Sequence, residues 1–374
     1  MLKTRPRIAH LTSVHPRFDT RIFIKMCRSS AESGFDVSLV VADGKGDETQ
    51  HGVSVFDVGA PRGRLDRILR APKRVMVKAI ELDADIYHLH DPELIPIGLK
   101  LKRHGKKVIF DSHEDLAKQL LTKPYLNPII LHILSFAYAV FERMTIHRFD
   151  AIIAATPAIR DKFFKLNTNT INVNNFPILG ELSVPTNSQE RSVVCYIGGI
   201  SAIRGIRELA DALGYVRSEI GLSIAGQFSN NILAKEVRSY PGWSKANEVG
   251  IVDRAGVRDL LARSLMGLVT FLPAPNHINA QPNKMFEYMS AGVPVIGSDF
   301  PLWREIVEGN ECGICVDPTD PKAIASAIDY LAENPKLALK MGQNGHRAVQ
   351  QKFNWAVEEK KLLEIYSKLL KEQT

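Results

Sequence analysis

Asn279-Ala280-Gln281-Pro282-Asn283-Lys284-Met285-Phe286-Glu287-Tyr288-Met289-Ser290-Ala291-Gly292-Val293-Pro294-Val295-Ile296 reads as a loop, a helix and a strand in succession. Pro282 suits the first turn of a helix, where its missing N–H costs nothing, and Gly292 suits the C-terminal end. Val293 to Ile296 then continues as a buried strand. Lys284 falls in the first turn, where its charge opposes the helix dipole, and a bound anion such as a diphosphate removes that conflict. Glu287, three residues on, shares its side of the helix and can accept hydrogen bonds from sugar hydroxyls. The alternative for these two residues is an exposed pair with no ligand.

The same alternation of short apolar runs with helical periodicity extends in both directions, the pattern of βαβ units and parallel sheets. Strands are expected at Ile8 to Ser13, Val37 to Ala42, Val53 to Val58, Ile86 to His90, Lys107 to Asp111, Ala151 to Ala155 and Ile171 to Asn174. Helices are expected near 20–33, 64–82, 93–104, 129–147 and 157–166. Asn175 to Glu190, with Pro177, Gly180 and Pro185, has linker composition. A second series follows at Ser192 to Ile197, Leu222 to Ala225, Gly267 to Phe271, Val293 to Gly297 and Ile314 to Val316. The chain from 320 to 371 reads as helix, broken at Pro335 and at Phe353-Asn354. The fold class is therefore α/β, two Rossmann-like doubly wound domains facing a cleft. Residues 1–178 form the first, 179–190 the linker and 191–352 the second, with 353–374 a helix returning to the first domain.

With 374 residues, 45% hydrophobic and 24% charged, the chain has the composition of a globular protein and not of a disordered or fibrous one. Four cysteines are too few for a disulfide scaffold, and Cys27 and Cys195 stand alone in apolar surroundings, so free thiols and a cytoplasmic location are expected. Met1 to Arg7 runs into a strand without the apolar region of a secretory signal. The apolar run Ile129 to Phe141, 13 residues long and interrupted by His132 and Ser135, is shorter than the ~20 of a membrane span. The net charge of +7 divides into +8 over residues 1–180 and −1 over 181–374. Arg62, Arg64, Arg67, Arg70, Lys73, Arg74 and Lys78, interleaved with Leu65, Ile68, Leu69, Val75 and Val77, read as a basic amphipathic helix. Such a helix rests on an anionic membrane, binds nucleic acid or is simply a solvated face.

Nucleotide fingerprints are informative by absence. Neither G-x-G-x-x-G after a strand nor G-x-x-x-x-G-K-[ST] occurs, which disfavours dehydrogenase and P-loop chemistry. Gly198-Gly199-Ile200-Ser201-Ala202-Ile203-Arg204-Gly205 nonetheless joins a strand to a helix. Its backbone N–H groups and Arg204 suit a phosphate, although a plain turn would look the same. Cys312-Gly313-Ile314-Cys315 is a lone C-x-x-C, so zinc is not expected and the segment marks the turn into the last strand.

On these residues the chain resembles the retaining glycosyltransferases of family 4, which have the GT-B fold. Members carry a Glu, seven residues and a second Glu on the helix quoted above, followed by an Ala-x-Gly-x-Pro-Val-Ile run. Glu287 matches the second Glu, which in the family binds the nucleotide ribose, and Asn279 stands where the first would contact the donor sugar. The Pro-Asn-Lys-x-Phe-Glu-Tyr variant is similar to that of bacterial surface-polysaccharide transferases. The resemblance places Arg204 where a Lys meets the donor diphosphate and Gly199 where an Arg is usual, so Lys284 is expected to supply the missing charge. Val108-Ile109-Phe110-Asp111-Ser112-His113-Glu114 matches the segment whose His, here His113, lies by the reacting sugar. Ser13 to Arg21 replaces a family Gly-Gly loop and puts His15 and Arg21 on the acceptor side, with Asp19 as a helix cap. His88-Leu89-His90-Asp91-Pro92 also resembles a family segment, but these histidines lack metal-ligand spacing and the family needs no metal, so neither cofactor nor metal is expected.

The resemblance implies transfer of a sugar from a nucleoside-diphosphate donor, UDP first among them, with retained configuration. The expected acceptor is a polyprenyl-diphosphate-linked saccharide, met by a peripheral enzyme at the cytoplasmic face of an anionic membrane. A non-hydrolysing nucleotide-sugar epimerase shares the architecture and stays open as an alternative, as does a non-enzymatic basic binding protein. Nucleic acid is not expected as a partner, because the second half is near neutral and no aromatic residues interleave the basic stretch.

Overall fold

The computed structural model describes residues 5–121, 127–184 and 191–372. The chain divides into two compact units, Met1–Asn175 with Trp355–Thr374, and Phe176–Asn354. Both are α/β units built on parallel sheets, as the alternation of apolar runs and helical periodicity requires.

In the first unit the strands are β1 (Arg7–Leu11), β2 (Asp36–Val41), β3 (Glu48–Gln50), β4 (Val53–Asp57), β5 (Ile86–Leu89), β6 (Lys107–Ser112), β7 (Ala151–Ala154) and β8 (Thr170–Asn172). Their spatial order is β3-β4-β2-β1-β5-β6-β7-β8, with only the β3–β4 pair antiparallel. The chain winds outward from β1 through β2 to β4, then returns to β5 on the other side of β1. That reversal opens a crevice beyond the carboxyl ends of β1 and β5, the place where open α/β sheets hold ligands. Parallel strands are covered on both faces and read as continuous apolar runs, so the polar residues within them stand out. His10 pairs in register with His88, and His88 with Ile109. Because side chains alternate, His10, His88, His90 and Asp111 share one face of the sheet.

Two helices supply partners to that face. The first, Thr20–Cys27, is wound as a π-helix and runs on into Arg28–Glu32. Asp19 caps it, its carboxylate accepting from the N–H groups of Arg21 and Ile22. The second, Trp355–Lys371, buries Leu362, Ile365, Tyr366 and Leu369 and donates from Trp355 Nε1 to Ser29 Oγ at 2.8 Å.

Two expectations about this unit's helices are corrected. The basic stretch forms two helices, Arg64–Leu69 and Ala71–Leu82, since Pro72 at the start of the second leaves a break at Arg70. The apolar stretch forms the helix Pro128–Thr145, and with the turn Ile146–Arg148 it is long and apolar enough to cross a membrane by length and composition. The count from sequence stopped at the polar positions, which the helix passes through. Residues 185–190 of the expected linker lie outside the described residues.

In the second unit the strands are β9 (Val193–Ile197), β10 (Gly221–Ala225), β11 (Ala246–Gly250), β12 (Ser264–Val269), β13 (Val295–Ser298) and β14 (Gly313–Val316), ordered β11-β10-β9-β12-β13-β14 and all parallel. The reversal here lies between β9 and β12. The quoted segment forms the helix Asn283–Ser290, capped by Pro282, with Gly292 beyond its end at φ +64°. Met285, Phe286, Tyr288 and Met289 bury its inner face, and Tyr288 Oη accepts the N–H of Ile197 at 3.0 Å. The Tyr288 ring lies against Gly267 of β12 so closely that a Cβ there would come within 2.4 Å of it. These contacts fix where the helix begins, beside the end of β9. The C-terminal stretch is helical at Pro321–Glu333, Pro335–Gln351 and Trp355–Lys371. Cys27, Cys195, Cys312 and Cys315 are free thiols.

Candidate active site

Each unit gathers chemistry-bearing residues at the reversal of its sheet. In the second unit the turn after β9 passes through Gly198 at φ +110°, a conformation that favours glycine, and a Cβ there would lie 3.7 Å from Lys284 Nζ. Lys284 is buried in the first turn of its helix. Its ammonium sits 3.6 Å from the centre of the Tyr196 ring and 5.4 Å from that of Phe271. These are cation–π contacts, and among the described residues the Nζ has no hydrogen-bond partner. Burial, and then the Arg204 charge, push its pKa well below the usual lysine value. A desolvated ammonium without an acceptor is costly, and an anion entering beside it recovers that cost.

Arg204 lies in the turn Ala202–Arg204, its guanidinium 5.5 Å from the Phe271 ring centre and donating to the Gly199 carbonyl at 3.0 Å. Arg204, Gly199 and Lys284 are therefore grouped around Gly198 and Phe271. The following Gly205 is at φ +73°, where a Cβ would come within 2.0 Å of the Thr270 carbonyl, so the turn packs directly onto the strand end after β12.

Glu287 is not paired with Lys284. Its Oε1 accepts from Arg254 Nη1 at 2.7 Å, and Arg254 Nε donates to Glu181 Oε1, also at 2.7 Å. Arg254 opens the helix Arg254–Arg263 and carries no motif that would mark it in the sequence. Asn279 is exposed in the loop ahead of the helix.

In the first unit the polar residues of β1, β5 and β6 form a connected group. Arg21 holds Asp111 with two bonds, Nε to Oδ2 at 2.9 Å and Nη2 to Oδ1 at 2.7 Å, and its Nη1 donates to the Val173 carbonyl at 2.8 Å. Asp111 Oδ2 also lies 3.0 Å from His113 Nε2 and 3.3 Å from His90 Nδ1. His90 Nε2 is 2.9 Å from His10 Nδ1, His10 Nε2 is 3.4 Å from Tyr366 Oη, and Tyr366 Oη is 2.6 Å from His88 Nδ1. Burial opposes ionisation of Asp111, but the charges of Arg21 and His113 outweigh it and hold the carboxyl well below the ordinary range. Burial keeps His10 and His88 neutral and brings His90 down to about 4.

His113 stands at the outer edge of this group, its ring 4.8 Å from that of His15. His15 is close to Asp19 at 3.6 Å and to Asp91 at 3.4 Å. Burial works against its charge, yet the Asp19 hydrogen bond and the two carboxylates raise its pKa. Asp91 turns to Thr12 Oγ1 and the Ser13 N–H, at 2.8 and 2.6 Å. Arg21, expected on the acceptor side, is buried with its guanidinium committed to Asp111 and Val173.

The absence of a metal-ligand spacing is likewise not the whole picture. Among the described residues two trios, His10, His88 and His90, and His90, Asp111 and His113, bring possible ligand atoms within 4.8 Å of one another. The parallel register assembles the first from β1 and the end of β5, and the second from the ends of β5 and β6. In the second trio Arg21 already occupies both oxygens of the carboxylate. Sequence reasoning missed the parts played by His10 and Tyr366. The signal for His10 was a polar residue inside an apolar strand, and Tyr366 had none.

A "Glycosyl transferase 4-like domain" family matches residues 21–173, and "Glycosyl transferases group 1" matches residues 191–334. Alpha-maltose-1-phosphate synthase of Mycobacterium tuberculosis is 27% identical over 202 residues, covering 51% of this chain and 51% of that protein. The capsular polysaccharide biosynthesis glycosyltransferase CapM of Staphylococcus aureus is 26% identical over 183 residues, covering 48% of this chain and 47% of CapM. This chain spans about half the length of the curated relatives it matches. Among solved structures, Anabaena HepE in complex with UDP and glucose superimposes with a TM-score of 0.74 at 16% identity, covering 97% of this chain and 100% of that one. One family match in each unit, on this architecture, shows that the chain belongs to the family-4 type of glycosyltransferases with the GT-B fold.

Proposed function

We propose that this protein transfers a sugar, with retained anomeric configuration, from a nucleoside-diphosphate donor to a lipid-linked saccharide in the assembly of a bacterial surface polysaccharide. UDP is the first candidate for the carrier, in keeping with the UDP held by HepE, and the surface-polysaccharide role accords with the name of CapM. The observation that carries the reading is the buried, unpartnered Lys284 ammonium at a helix start, beside the glycine turn at the reversal of its sheet.

In this mechanism the donor diphosphate lies against Lys284, the helix N-terminus and Arg204. As the bond between the anomeric carbon and the diphosphate oxygen breaks, negative charge grows on the leaving group and positive charge on the ring. Fixed cations and oriented N–H groups stabilise the leaving group without having to reorganise. The acceptor hydroxyl oxygen bonds to the anomeric carbon on the same face, and its proton passes to the departing phosphate oxygen. Glu287 receives the ribose hydroxyls and Asn279 a donor-sugar hydroxyl. His113, held by Asp111, orients the reacting sugar. Lys284 and Arg204 meet the diphosphate charge in place of a metal ion.

For the acceptor, the first unit presents an apolar stripe along the helix Pro128–Thr145. Ile129, Ile133, Phe136, Val140 and Met144 are all exposed, Phe136 to 73%. Leu65 and Leu69 are exposed on the basic helix Arg64–Leu69. A stripe of this kind, in a unit that also carries an exposed basic helix, suits the interface of an anionic membrane, which would keep the enzyme peripheral on the cytoplasmic side. Incubation with radiolabelled UDP-sugars and a polyprenyl-diphosphate saccharide tests the reaction: a lipid-extractable product with the α-configuration of an α-donor is expected. Donor turnover that does not depend on acceptor would contradict it.

A further inference from the structure

Lys284 and Glu287 occupy positions three apart on one helix, the separation at which opposite charges pair, and a buried lysine gains more from such a partner than an exposed one. Yet Lys284 Nζ is unpartnered, while Glu287 is turned to Arg254. We infer that Arg254 is a positioning residue of the donor site. By holding Glu287 through Oε1 it keeps that carboxylate off Lys284, leaving the ammonium free for a diphosphate and Oε2 free for a ribose diol.

The inference rests on the donor-site reading given above and adds a residue to it. Arg254 suits the task because its guanidinium donates from two different edges, Nε to Glu181 and Nη1 to Glu287, and is thereby fixed in orientation. A lysine at this position would meet both carboxylates from a single freely rotating nitrogen, without the fixed orientation of the guanidinium. Glu181 comes from the segment ahead of β9, Arg254 from the start of its helix and Glu287 from the donor helix. The bridge therefore ties three separate segments around one carboxylate. Without Arg254, Glu287 is free to swing towards Lys284. One ion pair then removes both the cation that a diphosphate needs and the acceptor that a ribose needs.

Calorimetric titration of the full chain with UDP, 2′,3′-dideoxy-UDP and inorganic pyrophosphate, in EDTA, tests this. The wild type is expected to bind UDP more tightly than the dideoxy analogue, and pyrophosphate weakly. Arg254→Ala should weaken pyrophosphate binding by about tenfold and should abolish discrimination against the dideoxy analogue. The double variant Arg254→Ala/Glu287→Gln should regain pyrophosphate affinity to within about threefold of wild type, because the neutral amide no longer competes for Lys284. A circular-dichroism melt of each variant, close to that of the wild type, shows that both have folded. Pyrophosphate binding unchanged in Arg254→Ala, or lost equally in the double variant, would overturn the role of Arg254 while leaving the donor site standing. No binding of UDP or pyrophosphate by the wild type would overturn the donor site and this inference together.

Discussion

Arg21 and Asp111 meet through two hydrogen bonds, at 2.9 and 2.7 Å, with both side chains almost wholly removed from water. The pair joins the helix that follows β1 to the end of β6, and His90 and His113 lie 3.3 and 3.0 Å from the same carboxylate. Removing one partner leaves a buried charge without its complement. Arg21→Ala should cost about 3–5 kcal/mol, read from the urea midpoint, whereas Arg21→Lys should recover part of it. A loss below about 1 kcal/mol would mean that water replaces the guanidinium.

Tyr366 places its hydroxyl between His88 Nδ1 and His10 Nε2. Tyr366→Phe preserves the packing and orphans the buried His88 nitrogen, a cost of about 1–3 kcal/mol. Thermal unfolding should show it. No change in melting temperature would contradict the bond.

The same imidazoles give the fold a pH dependence with a definite sign. His10, His88 and His90 are held neutral below their unfolded value of 6.5, His90 down to about 4. Between those limits the unfolded chain binds more protons than the folded one, so stability should fall as pH drops from about 6.5 towards 4. His90→Gln should flatten that slope in denaturant titrations at successive pH values. A variant slope equal to that of the wild type would assign the acid sensitivity elsewhere.

How far such features could be read beforehand follows from what a sequence displays. Most strands of both sheets were visible as apolar runs, because parallel strands are buried on two faces. Glu48–Gln50 and Ala246–Gly250 were not, being polar edge strands with little apolar demand. Lys284 was legible because a cation in a first helical turn contradicts the helix dipole. Arg254 was not, since its meaning lies in two carboxylates from distant segments. His10, His88 and Asp111 stand far apart in the chain, and only the register of β1, β5 and β6 makes them neighbours. The helix near 129–147 was legible, but its length for a membrane was not, because the apolar count ended at Phe141 while the helix runs on through Glu142 and Arg143.

On the exposed apolar stripe, Ile133→Ser/Phe136→Ser should leave the melting temperature within about 2 °C of wild type, because both side chains already face solvent. Flotation with vesicles containing anionic lipid should fall several-fold, and neutralising Arg64, Arg67 and Lys73 should reduce it further. Equal flotation of all variants would remove the membrane from the account.

Lys284 offers the most direct test of the central claim, that its buried ammonium receives the donor diphosphate. Its pKa is lowered while no anion is bound, and a diphosphate raises it, so binding should take up protons and weaken as pH rises between the two values. Calorimetric titration of UDP in two buffers of different ionisation enthalpy, on the wild type and Lys284→Met, is the measurement. The account expects buffer-dependent proton uptake in the wild type, with loss of both the uptake and at least tenfold in affinity in the variant. Equal affinity in the two proteins, or selective UDP binding without proton uptake, would contradict it.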